Sequence, residues 1–391
     1  MDLNRRFKKM SLTDVAMNKG LFERNEAVYI RTKVALLGSS GIVAQRFQQR
    51  LANHPWFELA AVFGSPIQVG KQLSEIPWGL PESRPEVPEL EVFSCELSQL
   101  KFQLTKLNIK LVFSALPSDA AIEIEPFLRE LGMQVFSNSS AHRMERDVPL
   151  IIADLNPEHL SILKSPLHDQ TSGFIACSTN CTVMPVALPL KPLWDVLGFN
   201  RVEISTEQSL SGGGYKLLKS ANGFLSEIPG EAEKISEECI RLLGNIESDG
   251  IEPADFNTQV ECKRVMRDYG HIVKVKIDLQ KDTEINEIIE LMSNHTSSPQ
   301  TLNLPSAPKK PIILSDSPID LEKARWAGAD SDDNNPATNL KSGMAITVYD
   351  LKLVGSTLSF SAFCENTIRG AAGGCILLAE LAIEELELIF A

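Results

Sequence analysis

The chain has 391 residues, 43% of them hydrophobic and 23% charged, the make-up of an ordinary globular protein long enough for two domains. A formal net charge of −13 argues against a nucleic-acid surface, and no apolar stretch approaches the ~18 residues of a membrane span. Seven cysteines without a C-x-x-C pair, and six scattered histidines, point away from a disulfide framework or a bound metal, and toward a reducing, cytoplasmic setting.

Residues 1–31 carry Arg5, Arg6, Lys8 and Lys9 without the apolar core of a signal peptide. They read as an N-terminal extension, with Met10 and Met17 as alternative starts. KVALLGSSGIVAQRFQQRLANHP (33–55) is an apolar strand, a glycine turn and a helical pattern; FELAAVFGSP (57–66) supplies the next strand. LVFSALPSDAAIEIEPFLREL (111–131) repeats strand, turn and helix, and MQVFSNSS (133–140) adds another strand. Strands alternating with helices predict an α/β, Rossmann-type parallel sheet over residues 32–180. Beyond FIACSTNCT the texture changes. VEISTEQSLS (202–211), HIVKVKIDL (271–279) and MAITVYDLKLVGSTLSFSAFC (344–364) read as longer, alternating strands of a mixed sheet, in an α+β second domain over 181–363. EAEKISEECIRLLG (231–244) and TEINEIIELMSNH (283–295) have helical periodicity, and ADSDDNNPATN (329–339) is an acidic loop. NTIRGAAGGCILLAELAIEELELI (366–389) is a long helix candidate with three internal glycines.

GSSGIVA (38–44) follows a strand and opens a helix, where free N–H groups and the helix dipole favour a pyrophosphate. Gly38 permits the tight turn, Gly41 the close approach of phosphate, and Ala44 the packing of helix on sheet. Ser39, Ser40, Ile42 and Val43 complete the cofactor loop, and Ser114, Ala115 and Leu116, in the strand and turn of LVFSALPSD, are further cofactor-binding candidates. An NAD site usually has a carboxylate after the second strand; FGSPIQVGK offers Ser65 and Lys71 instead, which favours NADP. In CSTNCTVMPVAL (177–188), Cys181 admits several readings: core filling, metal ligand, disulfide half or nucleophile. A helix starting within Thr182–Leu188 would stabilise its thiolate. Cys177, on the strand side, reads as packing. A nucleophilic thiol needs a proton partner brought in by the fold. His271, just after a glycine and before an apolar strand, is a candidate, though a surface turn explains it equally well. Arg264 lies seven residues earlier.

Taken together, GSSGIVAQRF, VFSALPSDAA, SNSSAHRMERDVPLII, STNCT, EQSLSGGGY, PGEAEKISEE, CKRVMRDYGH, PSAPKKPIIL and NTIRGAAGGCILLAEL resemble the aspartate-semialdehyde dehydrogenase family, in its archaeal and fungal branch. The resemblance runs from about residue 33 to 385. It implies that Cys181 is the nucleophile, with Asn180 beside it, that Gln208 positions substrate and acyl intermediate, and that His271 is the acid/base. It implies that Arg264 grips the substrate α-carboxylate, that Glu231 lies near its amino group, that Lys234 and Arg143 serve the phosphate site, and that Asn366 contacts the nicotinamide end. A C-terminal segment, 364–391, is expected to return to the first domain as a helix. The implied reaction interconverts aspartyl phosphate and aspartate semialdehyde through a cysteine thioester with NADP, in lysine, threonine and methionine biosynthesis. The implied assembly is a homodimer or homotetramer, and the ligands are a small-molecule substrate and phosphate, without nucleic acid or membrane.

The chain departs from the family pattern in places. Ile67 and Gln68 stand where Arg and Ser are usual, which keeps NAD open. Met266 and Arg267 replace a Pro-Val pair, GGGYK replaces a GAGYP-like turn, and the acidic loop is longer. Malonyl-CoA reductase, of the same fold class, also resembles SLSGGGY and the Arg325–Gly328 segment. The Glu231/Lys234 pair, three apart on one helix face, favours the aspartyl substrate over it, although such a pair alone is a common solvated ion pair. N-acetyl-glutamyl-phosphate reductase fits the flanking motifs less well. A non-catalytic nucleotide-binding paralogue would be expected to have lost one of Cys181, Gln208 and His271.

Overall fold

A computed structural model describes residues 31–169, 172–220, 225–248 and 250–388. The expected extension, up to residue 30, and the last three residues of the 364–391 segment lie outside the described residues.

The first sheet contains β1 (Thr32–Leu37), β2 (Phe57–Gly64), β3 (Val92–Ser94), β4 (Leu111–Ser114), β5 (Gln134–Ser137), β6 (Leu150–Ile151) and β7 (Phe174–Ser178). All its pairings are parallel, in the order β3-β2-β1-β4-β5-β7-β6. Helices α1 (Ile42–Leu51), α2 (Leu97–Lys106) and α3 (Ser118–Glu130) are crossovers between these strands. Burial on both faces explains why its strands read as apolar runs; Val34 to Leu37 are wholly buried. The strand order reverses direction between β1 and β4, so the crevice at their carboxyl ends is where such folds receive a ligand.

After β7 comes α4 (Met184–Val196), then β8 (Phe199–Gln208), α5 (Glu231–Leu242) and a small hairpin of β9 (Asn245–Glu247) and β10 (Gly250–Glu252). The second sheet adds β11 (Asn257–Arg264), β12 (His271–Leu279), β13 (Ile312–Leu314), β14 (Ile346–Val354) and β15 (Thr357–Cys364), with α6 (Ile285–Ser293) following β12. Its order is β11-β8-β12-β15-β14-β13; β11/β8 and β13/β14 are parallel and the rest antiparallel. In β12, Val273, Val275 and Ile277 face the core while Lys274, Lys276 and Asp278 are exposed. One core joins the buried face of this sheet, α4 and α5 to one side of the first sheet. A second core fills the other side of the first sheet.

The structure differs from the sequence expectation in three kinds of feature. The stretch 344–364 is a hairpin, turned at Gly355 with φ 60. Strands β3, β6, β9, β10, β11 and β13 were not expected: five span two or three residues, and NTQVECKR of β11 has little apolar alternation. The C-terminal stretch is not one helix. A π-type turn over Ile368–Ala372, kinked at Ala371, precedes α7 (Gly373–Glu385). The glycines sit at that break because neighbours crowd them: a Cβ at Gly370 would lie 2.8 Å from the Cys181 Cβ, and one at Gly373 2.6 Å from the Met344 sulfur. Helix α7 itself, buried from Gly373 to Ile383, belongs to the second core and touches α1, β5 and β7.

Candidate active site

Strand register assembles the site. Parallel β8 and β11 end side by side, with Gln208 opposite Arg264. Antiparallel β12 begins at the same edge, so His271 lies there too, opposite Cys364 of β15. Across this edge stands the turn between β7 and α4. Asn180 shapes it: its Oδ1 accepts from the Thr182 N–H (2.8 Å), and its carbonyl accepts from the Val183 and Met184 N–H groups. That turn sets the Cys181 sulfur 3.2 Å from His271 Nε2, across ninety positions of sequence.

The sequence reading expected a helix start to lower the Cys181 pKa. The helix instead begins three residues later, at Met184, and Cys181 is pushed up from 9.0 to about 12 by burial, with the Glu231 charge adding to it. A helix terminus contributes about 0.3–1 kcal/mol, under one pKa unit, so burial wins. His271 is fully buried, and burial reinforced by Arg264 and Arg267 lowers its pKa from 6.5 to about 3. Burial therefore favours the neutral form of each partner, thiol and imidazole alike.

Glu231, in the first turn of α5, accepts from Asn180 Nδ2 (3.0 Å) and Gln208 Nε2 (3.3 Å), joining two of the predicted residues. Lys234 is exposed one turn further along. Arg264 Nη1 donates to the Ser209 carbonyl at 2.7 Å, and burial lowers its pKa. Arg143 is 6% exposed and paired with Glu238 (2.9 Å), with its other terminal nitrogen on the Asn138 carbonyl. Glu238 was missed in the sequence. It also accepts from the Thr179 hydroxyl and the Asn180 N–H, both at 2.7 Å, so it anchors the turn that carries Cys181. Its spacing of seven from Glu231, on one helix face, was the available signal. Asn366, expected toward the nicotinamide, has its amide bonded to Ser209, Ser211 and the Gly270 N–H behind His271.

At the other end of the crevice, Gly38 has φ +108 and packs on the β4 turn: a Cβ there would lie 3.3 Å from the Ala115 carbonyl and from the Ala44 Cβ. Ser39 is buried and its carbonyl accepts from Gln48, while Ser40 is half-buried beside it. Gly41 precedes α1, and a Cβ there would meet nothing within 4 Å. Open space before a helix N-terminus suits a phosphate. Ile42 is buried and Val43 half-buried in the first turn. The Ala115 N–H bonds the Leu37 carbonyl, Ser114 is buried and Leu116 half-buried, and Ser65 and Lys71 are exposed beyond β2. Cys177 is wholly buried in the core, and all seven cysteines are free.

A parallel sheet with a glycine turn at its switch point, joined to a second domain that brings a thiol and an imidazole together, is the architecture of a dinucleotide-dependent dehydrogenase. The family model for the semialdehyde dehydrogenase NAD binding domain matches residues 33–163. The aspartate-semialdehyde dehydrogenase of Archaeoglobus fulgidus is 36% identical, over 91% of this chain and 99% of that protein. The malonyl CoA reductase (NADP) of Metallosphaera sedula is 33% identical over 90% and 97%. A crystal structure of aspartate semialdehyde dehydrogenase with NADP from Candida albicans superposes with a TM-score of 0.75 at 27% identity, covering 90% of this chain and 98% of that one. The chain belongs to the aspartate-semialdehyde dehydrogenase family.

Proposed function

We propose that this protein interconverts L-aspartyl-4-phosphate and L-aspartate 4-semialdehyde through a thioester on Cys181, with NADP and phosphate. The observation that carries this reading is the 3.2 Å approach of Cys181 Sγ to His271 Nε2 in a member of this family. NADP, when bound, exchanges the hydride with the substrate carbon, and the Gly38–Val43 turn with Ala115 holds it. In the oxidative direction the Cys181 sulfur bonds the aldehyde carbon, and His271 carries the thiol proton to the carbonyl oxygen. His271 then removes that proton as the carbon is oxidised to the thioester. Phosphate displaces the sulfur, and the proton returns to Cys181. A placed base of this kind contributes ~10²–10⁴-fold.

Arg264 binds the α-carboxylate with a planar guanidinium that lysine cannot copy. Glu231 receives the amino group and Gln208 orients the acyl carbon. Exposed Lys234 brings a cation to phosphate, and Arg143, held by Glu238, offers its unpartnered Nε. Asn180 and Asn366 act by shaping the nucleophile's turn and backing the imidazole. NADP is favoured over NAD because no carboxylate follows β2. We assign 32–180 to cofactor binding, 181–363 to catalysis and subunit contact in a homodimer or homotetramer, and 364–391 to the returning segment. A cytoplasmic place in lysine, threonine and methionine biosynthesis follows from this reading. The test is reduction of NADP⁺ by purified protein with aspartate semialdehyde, with and without phosphate. Phosphate-dependent reduction is expected; activity with malonyl-CoA instead would move the substrate to the acyl-CoA class.

A further inference from the structure

His271 can act as a base toward Cys181 only if Nε2 carries the lone pair, so Nδ1 must carry the proton. Two groups of Ser209 stand at Nδ1: its backbone N–H at 3.1 Å and its hydroxyl oxygen at 3.2 Å. The backbone N–H favours the proton on Nε2, whereas the hydroxyl, which can donate or accept, is compatible with either tautomer. The N–H donates to Nδ1, which would leave the proton on Nε2, facing the sulfur. The hydroxyl oxygen can instead accept a proton from Nδ1, provided that its own hydrogen points elsewhere. The structure supplies that other direction. Ser209 Oγ lies 3.1 Å from Asn366 Oδ1, and the Gly270 N–H donates to the same Oδ1 at 2.8 Å, which fixes the amide oxygen toward both. Ser211 Oγ lies 3.1 Å from Asn366 Nδ2, 3.2 Å from its Oδ1 and 3.0 Å from Ser209 Oγ, so the Gly270 N–H is what orients the amide, and Ser211 offers the Ser209 hydrogen a second acceptor.

We propose that Ser209 is a positioning residue that selects the reactive tautomer of His271, through a relay from Nδ1–H to the Ser209 hydroxyl and on to Asn366 Oδ1. It does for this imidazole what a buried carboxylate does in a serine-protease triad, but without a charge. The charged and titratable groups facing His271 are Cys181 from the β7–α4 turn, Arg264 from β11 and Arg267 from the β11–β12 loop. Neither arginine can accept a proton from Nδ1. Ser209 is wholly buried, and its carbonyl is held by Arg264, so the relay is fixed in place. This assignment rests on the reading of His271 as base and is tested without substrate.

In protein labelled with ¹⁵N-histidine, with His271→Asn used to assign the signal, the resting His271 is expected as the Nδ1–H tautomer. In Ser209→Ala, where only the opposing N–H remains, it is expected as Nε2–H, and Ser209→Thr, which keeps the hydroxyl, is expected to restore Nδ1–H. Turnover of Ser209→Ala should fall about ten- to a hundredfold with KM within about twofold, the loss of one hydrogen bond at a buried base. An Nε2–H signal in the unsubstituted protein, or an unchanged tautomer in Ser209→Ala, overturns the assignment. The tautomer shift without turnover of aspartate semialdehyde in any of these proteins supports the Ser209 assignment and removes the substrate reading instead.

Discussion

The two ends of the crevice are built in opposite ways. The end proposed for the nucleotide is made mostly of backbone from one continuous stretch, Gly38–Val43, with Ala115 of the next turn against it. The thiol–imidazole end is made of side chains from segments far apart: the 179–183 turn, the ends of β8, β11 and β12, α5, and Asn366 after β15. The first depends on where a side chain is missing; the second depends on how strand register and helix placement bring side chains together. Substitutions should separate the ends, with small, local losses at one and large, cooperative losses at the other.

The largest effect is expected at the thiol. Cys181→Ala should lower turnover by about 10³-fold or more while leaving NADP affinity unchanged, read by steady-state kinetics and nucleotide titration. Loss of nucleotide binding in that variant would show that the two ends are not separable. Next comes the contact that links α7's approach to the nucleophile. Gly370→Ala places a methyl 2.8 Å from the Cys181 Cβ and 3.0 Å from its Cα, so the turn must move. Turnover should fall about 10²-fold, as for other misplacements near 1 Å, and overpacking should cost about 1–3 kcal/mol in denaturant unfolding. At the nucleotide end, Gly38→Ala puts a Cβ on φ +108. It should cost about 1–2 kcal/mol and weaken NADP binding about tenfold, with the thiol's alkylation rate unchanged.

The smallest effect concerns the joint between the regions. His159, in the helical turn after β6, receives a hydrogen bond at Nδ1 from Asn156 (2.9 Å) and donates from Nε2 to the Gly244 carbonyl beyond α5 (3.1 Å), tying the first sheet's domain to the second. Burial lowers its pKa from 6.5 to about 4. The folded state therefore prefers neutral His159. The resulting stability is present above pH 6.5 and is lost as the pH falls through about 4, where the folded protein also takes up the proton. His159→Gln should flatten this part of the stability–pH curve, measured by urea unfolding at pH 7 and pH 4.5. Equal slopes in both proteins would place the acid sensitivity elsewhere.

Much of the fold could be read from the residues. Period-two alternation in HIVKVKIDL marks β12 with its limits unchanged, and EAEKISEECIRLLG gives α5 from Glu231. The glycine turn of the nucleotide end is similarly local. Short strands and the break at Ala371 were not readable, because two or three residues carry no period and a kink forced by crowding leaves only its glycines as a trace. At the site, the sequence nominated Cys181, Gln208 and His271 but missed Glu238 and Ser209. Both act on other residues of the protein, and a polar residue on a helix face or after a strand has many duller explanations. The expected helix-stabilised thiolate was a local argument reversed by burial.

By itself the sequence determined the alternation of strands and helices and the glycine turn, because these depend on backbone freedom and hydrophobic period within short windows, and through its family resemblance it nominated the side chains of the site. Only the tertiary structure decided that β8, β11 and β12 end at one edge and that Cys181 meets His271 there. It also decided that burial raises the pKa of the thiol and lowers that of the imidazole, since strand register and desolvation are set by partners distant along the chain.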